Sequence, residues 1–216
     1  MMDAPVDYRR LNNMKLGDVL FSQRSVRRFR PDPISIDDIH VIMEAAVRAP
    51  NGGNDQPARF LVITDRALLD RMSQLYREAW WAKRHDAGYT WTSIEDIPPE
   101  EKNYRAAARL AENMAGVPAM ILAFGRSSED GSSVIPAVQN LMLAARGLGI
   151  GSLPTRLHPV VMQRVNELLG IPDSVHLHLL IPLGYPATEK AFGVSRRKPT
   201  SETVYLNHWD QAVPWS

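Results

Sequence analysis

The chain contains no cysteine in its 216 residues. That excludes disulfides, a thiol nucleophile and thiolate metal ligands, and it leaves the redox compartment unread by that route. An excess of one charge is missing too: 25 Lys and Arg stand against 24 Asp and Glu, a formal net charge of +1. Nucleic-acid binding needs a basic excess, so we expect no DNA or RNA partner. No apolar run approaches the roughly eighteen residues of a membrane span, and Met1 to Pro5 carry no apolar signal core. We therefore expect no membrane association and a cytoplasmic location. What is present has the balance of an ordinary globular domain, with 44% hydrophobic and 23% charged residues. A chain of this length can bury a full core.

Two polar stretches organise the rest. Gln23-Arg24-Ser25-Val26-Arg27-Arg28-Phe29 follows a short apolar run of Leu16, Val19 and Leu20, and gathers guanidinium groups with a hydroxyl. Such a set suits a phosphate, which accepts bidentate, charge-assisted hydrogen bonds from Arg. Arg-rich helix ends are also commonly plain solvated surface. Pro50 to Pro57 places two glycines and small amides between prolines, so its backbone can come close to a flat ligand. An ordinary turn would use the same residues.

Apolar spacing predicts the elements around them. Ser35 and Asp38 resemble a capping box and open a helix over about residues 36–48, with Ile39, Ile42, Met43, Ala46 and Val47 on one face. Arg59 to Thr64 predicts a buried strand, and Asp65 caps a helix with a Leu68, Met72, Leu75 and Ala79 stripe. Residues 80–100 predict an irregular excursion, and its Trp80, Trp81, Tyr89 and Trp91 either pack it onto the body or wall a pocket as a lid. A helix over about 100–114, a strand over Ala119 to Gly125 and a polar linker over 126–133 follow. The helix over about 133–148 is apolar almost all round, which predicts burial on several sides and, in a chain of this size, a homodimer. Gly147, Gly149 and Gly151 close that helix, which makes them a C-cap and not a dinucleotide fingerprint. Pro159 opens a further helix that Gly170 ends. Val175 to Leu183 predicts an alternating strand with Leu177, Leu179 and Ile181 on one side and His176 and His178 on the other. Two histidines with no third ligand beside them predict no metal site. Arg196-Arg197-Lys198 is either a solvated segment or a second arm of a phosphate clamp.

The order of these pieces carries a resemblance. R-S-x-R-x-F at 24–29, a capped helix, A-P-x-x-G-N-x-Q-P at 49–57 and then a strand look like the N-terminal third of the nitroreductase family of flavin enzymes. Gln139-Asn140, the glycines 147–151, Leu168 to Pro172, Ile181 to Pro186 and Arg197-Lys198-Pro199 agree in order, so that the resemblance spans roughly residues 16–206. It implies an α+β fold, a mostly antiparallel sheet flanked by helices and built as an intertwined homodimer. An N-terminal arm (1–14), one domain (15–206) and a C-terminal tail (207–216) are then expected. It further implies flavin mononucleotide (FMN) at the dimer interface, NADPH or NADH as electron donor, and a small-molecule acceptor such as a nitroaromatic or quinone reduced in ping-pong fashion. No side chain need be catalytic, since flavin N5 carries the chemistry. The resemblance places Arg24, Ser25 and Arg27 on the phosphate and ribityl chain. Pro50, Asn51, Gly52 and Asn54 fall near the ring, the first two reaching the other subunit's flavin, with Gln56 anchoring the loop. Leu153, Pro154 and Thr155 run past the ring, and Arg197 makes a late phosphate contact. Two positions depart from the pattern: Gln23 stands where many relatives have Arg, and Ser152 to Thr155 lacks the usual aromatic residue. A flavin-storage protein without turnover, and the flavin-fragmenting and reductive dehalogenating branches of the fold, are alternative readings.

Overall fold

In the computed structural model of the protein, residues 6–215 are described, so the first five residues of the expected arm and Ser216 lie outside them. A strand covered on both sides has to be apolar throughout, and Ala119–Gly125 (β2) is buried at every position. It pairs antiparallel with Arg59–Ile63 (β1) and with His176–Gly184 (β4), whose far edge carries the two-residue Gly151–Ser152 (β3). The strand order is β1-β2-β4-β3. Six α-helices flank the sheet: Leu16–Ser22 (α1), Ile36–Val47 (α2), Arg66–Asp86 (α3), Lys102–Glu112 (α4), Gly131–Gly147 (α5) and Pro159–Leu169 (α6). Ala119, Ile121 and Ala123 of β2 face α2 and α5, while Met120, Leu122 and Phe124 face the core of α3, α4 and α6. The result is the α+β arrangement expected, helices on both faces of an antiparallel sheet.

Local chemistry sets the boundaries. The Ser35 hydroxyl accepts from the Asp38 amide at 3.0 Å. Asp38, shorter than the Glu of a full capping box, takes the Ser35 hydroxyl at 2.7 Å and the Arg10 guanidinium at 2.6 Å, and the latter docks the 3-10 turn Tyr8–Asn13. Asp65 accepts from the Leu68 amide at 2.9 Å. Gly149 and Gly170 take the left-handed conformation, φ 74° and 62°, that closes α5 and α6.

Three expectations are corrected. First, α3 runs to Asp86, so Trp80 and Trp81 are helical and the irregular excursion starts after them. The cause is length: a long helix can carry buried Trp80 on the same face as Met72 and Tyr76. Second, β4 does not alternate cleanly. The register slips between Ala123 and Phe124, which oppose Leu179 and Leu177, so His178 is an extra residue and Leu177 joins the α3 face while Leu179 and Ile181 join the α2 face. Third, α5 is covered by its own chain, by α2, the sheet, α1 and the 3-10 turn. Most of its apolar girth is therefore packed within the chain. Apolar surface is left open at Leu16, Leu20, Phe21 and Val47, and on α5 itself at Ile135. No helix among the described residues is long and apolar enough to cross a membrane.

Candidate functional site

The Arg-rich segment leaves α1 at Gln23 and is held by its backbone. Val26 is buried and its amide donates to the Ser152 carbonyl at 3.1 Å, while the Arg28 carbonyl accepts from Ala187 at 2.9 Å and the Arg30 amide donates to Tyr185 at 2.8 Å. Gly151 permits this approach, since a Cβ there would lie 2.8 Å from the Val26 side chain. So pinned, Arg24, Ser25, Arg27 and Arg28 form one wall of a cleft of about 600 Å³, the usual size for a small-ligand site. A second wall is the segment with Lys190, Ala191, Arg196 and Arg197, and a third is α4, with Asn103, Ala106 and Arg109. Arg24, Arg27, Arg28, Arg109, Lys190, Arg196 and Arg197 bring seven cations to one cavity, and among the described residues no Asp or Glu lines it. Unneutralised charge of one sign in a concave site focuses a field that attracts anions.

The sequence-predicted residues take distinct places. Arg24 donates from Nε to Ala191 and from Nη2 to Lys190, both carbonyls at 2.6 Å, so it is a strut joining two walls. Arg197 donates to its neighbour's carbonyl, Arg196, at 3.0 Å. Arg27 is half-buried, and its guanidinium has no hydrogen-bond or ion-pair partner among the described residues. Leu153 is buried and Pro154 exposed. Thr155 bridges to Leu180 through both backbone groups, at 2.9 and 2.8 Å, and its hydroxyl lies 3.2 Å from the phenol of Tyr76. Burial pushes the Tyr76 phenol pKa up, while the Thr155 hydroxyl and the positive charges of Arg27 and Arg84 pull it down. Neither Tyr76 nor residues 153–155 line the cleft. Among the described residues two buried oxygens of this region, Gln23 Oε1 and Ser152 Oγ, lack a hydrogen-bond partner.

The loop 50–56 does not line this cleft within one chain. Asn51 and Gln56 instead border a cavity of about 150 Å³ beside Ser133 and Ala137. Gly53, Asn54 and Gln56 have φ of 58°, 57° and 49°, left-handed values that non-glycine residues adopt at some cost. Side chains hold that shape. Asn51 Oδ1 accepts the Gln56 amide at 2.8 Å, Arg59 donates to the Gln56 carbonyl at 2.7 Å, and Asp55 pairs with Arg126. Gln56 donates to the Asn54 carbonyl at 3.4 Å, the anchoring position expected of it.

The aromatic excursion packs on the body. Tyr89 stacks on Trp91 at 4.1 Å, Tyr104 closes on both at 5.4 Å, and Arg84 lies over the rings of Trp80 and Tyr104 at 5.1 and 5.2 Å. Among the described residues none of 80–100 lines the cleft; the excursion instead props α4, which does. His176 and His178 stand 5.0 Å apart, and burial lowers the pKa of His178, whose Nε2 lies 3.0 Å from the Ser127 carbonyl. No group of three metal-capable side chains forms among the described residues.

Sequence reasoning missed Tyr76, Asn103, Arg109 and Lys190. Arg109 follows three alanines on an exposed helix face, and nothing in its spacing aims it at residues 24–28. The residues present fit the phosphate end of a mononucleotide, by charge, by volume and by the unpartnered Arg27. The ring end is incomplete in one chain, because the loop 50–54 lies outside the cleft.

Known proteins resemble this chain in sequence and in fold. The sequence model of the Nitroreductase family matches residues 20–185. The chain is 31% identical to the NADH dehydrogenase of Thermus thermophilus over 77% of its own length and 84% of that protein's. It is 28% identical to the iodotyrosine deiodinase of Thermotoga neapolitana, covering 81% and 90%. The crystal structure of an FMN-dependent nitroreductase from Mycobacterium smegmatis in complex with NADPH superposes with a TM-score of 0.69 at 22% identity, covering 89% of this chain and 97% of that one. The family match covers well over half of the chain and includes the Arg segment, the loop, and all four strands. The protein belongs to the nitroreductase family of oxidoreductases.

Proposed function

We propose that the protein is an FMN-dependent oxidoreductase that takes a hydride from NADPH or NADH and reduces a nitroaromatic, quinone or similar acceptor, donor and acceptor binding in turn. The observation that carries this reading is the convergence of residues 24–28 and 190–197 on one cation-lined cleft. Flavin mononucleotide, when bound, supplies a ring that accepts a hydride and passes the electrons on. Every other task falls to this chain. Arg27, Ser25 and Arg197 would hold the phosphate by charge-assisted hydrogen bonds. Leu153 and Thr155, fixed beside β4, would face the ring, and Tyr76 orients the Thr155 hydroxyl. A second copy of the chain would bring Pro50, Asn51, Gly52 and Asn54 to the ring. The open apolar surface of α1, with a groove of about 490 Å³ lined by Leu11, Leu16, Val19 and Leu143, suits that contact.

The reading is tested on the purified protein. Acid should release FMN, NADPH or NADH should be oxidised when a quinone is supplied, and light scattering should give about twice the 24.2 kDa chain mass. Flavin adenine dinucleotide alone in the extract, or none at all, would overturn the cofactor. A yellow protein that oxidises neither donor would be a flavin store.

A further inference from the structure

Seven cations face a ligand with one phosphate, and that phosphate does not need them all. Arg24 is engaged with the carbonyls of Lys190 and Ala191. Arg27 is the one of the seven that is not exposed. With Ser25 and Arg197 it supplies the fork, the hydroxyl and the second charge that a phosphate takes. Lys190 and three arginines, Arg28, Arg109 and Arg196, are left over. All three arginines are exposed, all line the cleft, and none of their guanidinium groups has a hydrogen-bond or ion-pair partner among the described residues. They come from three separate stretches of chain, the Arg segment, α4 and the late basic cluster, which the fold brings to one cleft.

We propose that Arg28, Arg109 and Arg196 hold a second phosphate, the 2′-phosphate of NADPH, and thereby make NADPH the preferred donor over NADH. The inference rests on the FMN reading above. The two dinucleotides differ at that phosphate alone, far from the nicotinamide, so discrimination requires unclaimed cations away from the ring. This cleft has three exposed arginines that the first phosphate does not claim. A phosphate monoester carries close to two negative charges at neutral pH and offers three acceptor oxygens, which suits guanidinium groups better than ammonium groups. Because the three arginines are exposed, each contact is screened, and a fall of about three- to fivefold per residue is the scale to expect.

The test uses the FMN-loaded protein titrated calorimetrically with NADP⁺ and with NAD⁺, alongside stopped-flow reduction by NADPH and NADH. NADP⁺ should bind about tenfold more tightly or better, as two or three screened pairs would give. Arg109→Ala should weaken NADP⁺ about three- to fivefold, and more than it weakens NAD⁺. Arg109→Glu should weaken NADP⁺ further, Arg109→Lys should restore part of the difference, and the ratio of flavin to protein absorbance should stay constant across all three. Equal affinity for the two dinucleotides, or an Arg109→Glu variant with an unchanged ratio, overturns the inference while leaving the FMN reading standing. A protein that takes up no FMN on reconstitution overturns both. If the variants weaken a carboxylated aromatic acceptor instead, the trio binds the acceptor and the NADPH assignment is wrong.

Discussion

Residues 24–28 and residues 51–56 are both short, irregular and rich in polar side chains, yet they are fixed in opposite ways. In the first, the backbone is tied down and the side chains are kept free: Val26 is buried and paired with Ser152, whereas Arg27 and Arg28 have no partner among the described residues. In the second, side chains are engaged so that an unusual backbone can persist: Asn51, Arg59 and the Asp55–Arg126 pair hold three left-handed residues in place. A site made of free side chains gains its stabilisation when the ligand arrives. A site made of shaped backbone is completed at folding. Substitutions in the first should therefore change affinity and spare stability, and those in the second should do the reverse.

Arg27→Ala tests the first half with the largest effect. Removing one member of a charge-assisted pair costs about 2 kcal/mol at the lower end of the usual range, or roughly thirtyfold in the flavin dissociation constant. Flavin fluorescence should report that loss, and circular dichroism and melting temperature of the flavin-free protein should not move. Full flavin occupancy after dialysis would return the segment to plain charged surface. Asn51→Ala comes next. It leaves the Gln56 amide unpaired, so we expect about 1 kcal/mol of lost stability, which is about 2–4 °C in melting temperature for a chain of this size. A variant that melts normally yet loses flavin would break the comparison, because Asn51 would then be acting as a side-chain ligand.

Gly53→Ala isolates the backbone. Its φ is 58° and a Cβ would meet nothing within 4 Å, so strain is the whole effect and about 1 kcal/mol is expected. Gly53→Asn should cost less, as Asn tolerates this region better. Arg24→Ala is expected to be smallest in affinity and belongs to neither class, since Arg24 is a side chain that fixes backbone. Flavin should weaken less than in Arg27→Ala, and limited proteolysis within 188–197 should quicken. Equal losses of flavin in the two variants would mean that Arg24 leaves its carbonyls and joins the ligand.

The sequence made some of this legible and hid the rest for physical reasons. Ser35, Asp65, Gly149 and Gly170 act through partners within a few residues, so local chemistry reveals them. The alternation of β4 failed at His178 because a bulge depends on the pairing strand, which periodicity in one strand does not contain. The convergence of Arg24, Arg27 and Arg197 was anticipated through the ordered family pattern, since nothing in spacing joins residues so far apart. Arg109 and Tyr76 stayed hidden because an exposed helical Arg and a core Tyr read alike whatever lies beside them. Girth alone does not decide the partner of α5, because most of its apolar circumference packs inside its own chain while Ile135 stays open.

The strut from Arg24 reaches carbonyls 166 and 167 positions later in the chain. At about 5–20 residues per second of ribosomal synthesis, its first anchor emerges roughly 8–30 s before its second exists. Throughout that interval the nascent chain lacks the wall that carries Lys190, Ala191, Arg196 and Arg197. The strut can therefore close only after β4, which ends at Gly184, has emerged, so the cleft and the sheet are completed in the same late stretch of synthesis.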